Sequence, residues 1–241
     1  MKIWSSDSGG PISNVCFTFE DKSLNKPFIQ ANEEYCDEIV EKEPIINDFK
    51  FDKIINKVEY KDTFSYGIIH GNEKIVFIKA GAGGGCTGYK NKYLKMAKQA
   101  HEKLGATVIS ASNPSENVEL DERIIRLVAN KLNFNNYELY FVGHSDGAYQ
   151  NFILASRFNE TRKILSINSS YVTVEDLIAK INDLPHIEKI FVCGEKDEDL
   201  YPFKNILGAS CKNEFRLLLI KNADHQFTNM IEEFIKLINL I

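Results

Sequence analysis

Gly143-His144-Ser145-Asp146-Gly147 sets a serine midway between two glycines, directly after the apolar run "YFV". The spacing fits a strand-to-helix bend so tight that residues two before and two after the serine touch, which is why side chains are excluded there. Such a bend holds the hydroxyl out at the strand end, near the positive N-terminus of the next helix. An ordinary turn with Ser145 as a helix N-cap fits the same five residues. A serine hydroxyl is a weak nucleophile until a base takes its proton and an acid holds that base. His225, in "NADHQF", and Asp197, in "CGEKDEDLYP", each follow an apolar run, so the chain order is Ser, Asp, His. Glu195, Glu198 and Asp199 are alternative acids, and Asp224 reads as a local turn residue. His144 is expected to pack beneath the bend, and His70, His101 and His186 to be structural. Cys86 is a possible thiol nucleophile for which the sequence places no base.

A second cluster, "KAGAGGGCTGYKNKY" (79–93), offers a rival chemistry. Gly83, Gly85 and Gly88 satisfy G-x-G-x-x-G between a strand and a helix, the dinucleotide-binding pattern. The next strand, "ATVISASNPS", ends without the acidic residue a ribose needs, and no GK[ST] follows for phosphate. The polar stretch 110–124 lines the same edge or, as the favoured reading, caps the helix starting near Glu119.

The elements that must position these residues alternate along the chain. Apolar runs at 54–60, 64–69, 74–80, 106–111, 138–143, 163–168, 188–193 and 215–220 predict strands. Helical periodicity falls between them, at Leu94 to Leu104, Leu120 to Val128, Ala148 to Ala155, Val174 to Ile181 and Ile231 to Leu240, with Gly105 as a C-cap. The alternation predicts an α/β chain whose mostly parallel twisted sheet carries helices on both faces. The first strands are expected to be antiparallel, with "HGNE" turning into the 74–80 strand. Residues 1–241 read as one domain, comprising an irregular extension over 1–50 and a core over 54–241. The acidic segment 32–43 is expected to form a short helix.

Composition excludes other classes. Twenty-nine basic against 34 acidic residues give a formal charge of −5 without a basic block, which argues against nucleic acid as a partner. Cys16, Cys36, Cys86, Cys193 and Cys211 are odd in number and contain no CxxC pair, so reduced thiols, a cytoplasmic location and no metal site are expected. No apolar run approaches the length of a membrane span.

"GHSDGA", "CGEKDEDLYP" and "NADHQF" together resemble the α/β-hydrolase fold family, over about residues 54–241. The resemblance implies that the bend is a nucleophile elbow and that Ser145, Asp197 and His225 form a catalytic triad working through an acyl-enzyme. It also implies an oxyanion hole built from the backbone N–H groups of Ala82 and Asp146, with Gly83 as the substitute for Ala82. The family more often has His-Gly where this chain has Ala80-Gly81. No cofactor is implied. Residues 169–187 leave room for one helix rather than a lid, which favours small or medium acyl esters, with thioesters and amides as alternatives. A non-catalytic binding or scaffold protein of the same fold is the rival of another class. The Asp146 carboxylate has two readings: it complements the helix dipole, or it recognises a cationic group of the substrate.

Overall fold

The computed structural model describes residues 2–5, 50–59, 61–170, 173–197 and 215–241. Within them, nine strands form one sheet: β1 Lys2–Ser5, β2 Lys53–Glu59, β3 Asp62–Ile69, β4 Asn72–Lys79, β5 Ala106–Ala111, β6 Glu138–His144, β7 Thr161–Ile167, β8 Glu188–Gly194 and β9 Arg216–Ile220. The spatial order is β1-β9-β8-β7-β6-β4-β5-β3-β2. Strands β4 to β9 pair in parallel, whereas β2–β3, β3–β5 and β1–β9 are antiparallel.

Among the described residues four α-helices connect these strands, α1 Lys92–Leu104, α2 Val118–Lys131, α3 Asp146–Ala155 and α4 Val174–Asn182, and a fifth, α5 Ile231–Lys236, follows β9 and continues as a 3₁₀ turn over Leu237–Leu240. Alternation along the strands sends side chains to opposite faces. Ile75, Phe77, Phe141 and Ile164 pack with α2, α3 and α4. Val76, Ile78, Val142 and Leu165 pack with α1 and α5. Helix α1 ends where Gly105 turns left-handed at φ 62°, a conformation a side chain would oppose. Helix α2 begins where the Asn117 side chain accepts from the Leu120 N–H.

Two expectations are corrected. "HGNE" does not close a hairpin, because β5 enters between β3 and β4; the antiparallel start lies in β2–β3 and β3–β5 instead. The Gly71 N–H donates to the Thr107 hydroxyl and the Asn72 N–H to the Gly105 carbonyl, so the link is tied to the entry of β5 rather than to its own neighbours. Within the extension expected to be irregular, Lys2–Ser5 form a strand, completing the sheet beside β9. The helix expected at 32–43 lies outside the described residues, as do Cys16, Cys36 and Cys211. Between β7 and β8 the described residues hold only α4. None of the described helices is long and apolar enough to cross a membrane.

Candidate active site

Ser145 leaves β6 at φ 55° and ψ −128°, a backbone region that costs a non-glycine residue about 1–3 kcal/mol. Close packing keeps it there. A Cβ on Gly143 would lie 2.4 Å from Ala148 Cα, and one on Gly147 would lie 2.1 Å from the Ala80 carbonyl oxygen. The Ser145 N–H is tied to the Ile167 carbonyl of β7 at 2.9 Å. The simple N-cap reading fails, because the Ser145 side chain makes no cap hydrogen bond. Its hydroxyl instead donates to His225 Nε2 at 2.8 Å and lies 3.3 Å from Ser170 Oγ.

His225 Nδ1 is 2.9 Å from Asp197 Oδ1, and the Asp197 carboxylate is almost wholly buried. These two residues meet because the loops after β8 and β9 are laced together. The N–H groups of Glu195 and Lys196 donate to the carbonyls of Ile220 and Ala223, and a Cβ on Gly194 would strike the Ala223 carbonyl oxygen at 2.5 Å. Of the alternative acids, Glu195 accepts from the Asn222 N–H at 2.8 Å, while Glu198 and Asp199 lie outside the described residues. Asp224 accepts from the Thr228 N–H, the local turn role expected of it.

On the other side of the elbow, Gly81 to Gly84 form a turn closed by Gly84 N–H to Gly81 C=O at 3.0 Å, with Gly83 at φ 73°. The Gly83 N–H donates to the Asn113 carbonyl at 2.7 Å, which removes it as the substitute oxyanion donor. The N–H groups of Ala82 and Asp146 take no acceptor among the described residues. Two of the three glycines of the dinucleotide pattern have their N–H groups engaged, Gly83 by the Asn113 carbonyl and Gly88 by that of Gly85, rather than turned to a pyrophosphate. The Asp146 carboxylate accepts through Oδ2 from Asn113 Nδ2 at 3.0 Å and from Gln150 Nε2 at 2.6 Å. Both amides are buried, and Asn113 Nδ2 also reaches the Ala80 carbonyl, so the 110–124 loop braces the elbow as well as capping α2.

Several supporting groups escaped the sequence reading. Asn168, at φ 44°, donates to the carbonyls of Asp224 and His225 while its own oxygen accepts from the Gly194 N–H. Lys79 ends β4 and looks like a surface charge in the sequence. It is fully buried against Asp121 at 2.8 Å, and Asp121 also accepts from the Tyr66 hydroxyl. His144 lies beneath the elbow as expected, with Nε2 2.8 Å from the His225 carbonyl and Nδ1 3.0 Å from the Tyr93 hydroxyl. Burial, helped by the Lys92 charge and by His225, holds its pKa well below the usual 6.5, so the ring is neutral. Of the other histidines, His101 bonds the Ala106 carbonyl, His70 pairs with exposed Asp52, and His186 is exposed. Cys86 and Cys193 are buried, and among the described residues no three His, Cys, Asp or Glu side chains converge as metal ligands would.

No family model matches this sequence, and no curated protein does. Among solved structures the chain is similar to an alpha-beta serine hydrolase homologue from Coxiella burnetii, with TM-score 0.60 and 16% identity over 80% of this chain and 99% of that one. Est1E from Butyrivibrio proteoclasticus gives TM-score 0.57 at 10% identity, covering 78% of this chain and 96% of that one. The esterase domain of a Rhodothermus marinus protein gives 0.56 at 11%, covering 78% and 95%. At such identities the likeness speaks for architecture, and this chain has the α/β-hydrolase fold.

Proposed function

We propose that this chain is a serine hydrolase acting on carboxylic esters with small or medium acyl groups. The observation that carries the reading is the doubly bonded imidazole: His225 reaches Ser145 Oγ through Nε2 and Asp197 through Nδ1 at the same time. In this reading Ser145 Oγ attacks the ester carbonyl carbon as its proton passes to His225 Nε2, and the Asp197 carboxylate stabilises the imidazolium. The negative charge that develops on the carbonyl oxygen is met by the N–H groups of Ala82 and Asp146. Collapse expels the alcohol, which takes the proton from His225. Water, deprotonated by the same ring, then releases the acid and regenerates Ser145. The short segment between β7 and β8, with α4 alone, supports a substrate of modest size.

A fluorophosphonate probe and a panel of short to long acyl esters test the proposal, with Ser145→Ala as the comparison. Labelling and turnover that disappear in the variant are expected. Labelling that survives the substitution would remove Ser145 as the nucleophile.

A further inference from the structure

A buried chain of hydrogen bonds runs under the elbow from one side of the site to the other. The Gly81 N–H points at the Tyr93 hydroxyl at 3.4 Å, Tyr93 Oη lies 3.0 Å from His144 Nδ1, and His144 Nε2 lies 2.8 Å from the His225 carbonyl. Chemistry sets the direction of each bond. A carbonyl oxygen only accepts, so Nε2 of His144 carries the proton and donates it to His225. Nδ1 of the neutral ring is then an acceptor, and the Tyr93 O–H must donate to it. That leaves the lone pairs of Tyr93 for the Gly81 N–H. Tyr93 and His144 are each 1% exposed. Tyr93 and Lys92 of α1, Phe234 of α5 and the His225 ring surround His144, and Phe234 stacks edge-on against both the His144 and Tyr93 rings.

Gly81 directly precedes Ala82, whose N–H faces the oxyanion in the reading above, and His225 is the base. We infer that Tyr93 and His144 are positioning residues that lock the oxyanion loop and the general base to a common frame, so that neither shifts without the other. The inference rests on the proposed triad. It goes beyond packing because a hydroxyl donor, and not merely an aromatic ring, is required at position 93.

The test uses the whole chain and turnover of a 4-nitrophenyl ester. Tyr93→Phe keeps the ring and deletes the hydroxyl, leaving Nδ1 of His144 a buried acceptor without a donor. A kcat lower by about three- to thirtyfold is expected, with KM within about twofold. The acid limb of the kcat/KM profile, which reports the base of the free enzyme, is expected to move as well. In a His144→Leu background, where the link to Tyr93 is cut because leucine offers no acceptor, Tyr93→Phe should add less than about twofold. His144→Gln should also retain more activity than His144→Leu, which has no donor. An unchanged kcat and pH profile in Tyr93→Phe, or an equal loss in both backgrounds, would overturn the inference. Turnover surviving in Ser145→Ala would overturn the proposed function together with it, whereas Ser145-dependent turnover indifferent to Tyr93→Phe would overturn the inference alone.

Discussion

Replacing Gly147 with alanine tests how tightly the elbow is coupled to the proposed oxyanion loop. The new Cβ would sit 2.1 Å from the Ala80 carbonyl oxygen and 2.8 Å from both Cγ and the carbonyl oxygen of Lys79. Carbon and carbonyl oxygen settle at about 3.3 Å or more, leaving a shortfall of roughly 1.2 Å. Helix α3 cannot yield all of it, because Ala148 is already pressed against Gly143 and Ser145 is anchored to β7. The strand end at Lys79-Ala80 must move and take Ala82 with it. Overpacking costs about 1–3 kcal/mol and alanine regains about 1 kcal/mol over glycine in a helix, so the net stability change is about 0–2 kcal/mol. Catalysis suffers more, since a 1 Å misplacement costs about a hundredfold and a lost oxyanion donor about 10²–10³ in kcat. Hydrolysis of 4-nitrophenyl butyrate, measured beside a urea unfolding curve, is expected to show kcat down about a hundredfold with KM within about threefold. A folded variant with kcat within about fivefold of the parent would refute the reasoning, because the clash would then have been relieved without moving the donor.

Asp197→Asn is expected to lower kcat by about 10⁴ by destroying the imidazole tautomer, while Glu195→Gln stays within about threefold; the opposite ranking in the same ester assay would move the acid to Glu195. Asp146→Asn should affect neutral and amine-bearing esters equally, by about fivefold or less, because the carboxylate is already held by Asn113 and Gln150. A loss confined to amine-bearing esters would restore the cation-recognition reading. The depressed pKa of His144 makes stability pH-dependent in a definite direction. Its unfolded form binds a proton below about pH 6.5 where the folded form does not, so its contribution is complete above that value and is lost as the pH falls, by up to about 1.4 kcal/mol per unit. Urea midpoints from about pH 7.5 down to about 5 should therefore fall more steeply for the parent than for His144→Gln, and parallel curves would contradict the buried neutral ring.

Strand runs such as "KIVFIKA" and "EKIFVC" announce themselves by β-branched and aromatic content, and Ser145, Asp197 and His225 could be paired because each ends such a run. Strand order is different. Nothing in the spacing of "HGNE" reveals that β5 will enter between β3 and β4, since the preference lies in packing against α1 and α2 rather than in the turn. Asn168, Asn113 and Gln150 read as ordinary polar residues, because what distinguishes them is burial and the partner that burial supplies. Lys79 carries no signal of its place for the same reason: only the matching Asp121, far along the chain, makes an interior position tolerable for its charge. The substitute donor Gly83 fitted by residue type alone, while its N–H was claimed by a carbonyl across the loop.

The entry of β5 between β3 and β4 has a consequence in time. Two residues, His70 and Gly71, join β3 to β4, and so short a link favours a hairpin that closes within about 1–10 μs. A hairpin closed in that way would have to come apart before β5 could take its place between the two strands. The connection then lies under the incoming strand, where a Cβ on Gly71 would be 2.3 Å from the Gly105 carbonyl oxygen. Refolding is then expected to be paced by unpairing as well as pairing, ahead of the loop that follows β4. His70→Asn, which creates the Asn-Gly pair that best closes a two-residue hairpin, should slow stopped-flow refolding while leaving the unfolding rate nearly unchanged; unchanged refolding would mean that the hairpin is never visited, and faster refolding that it is productive.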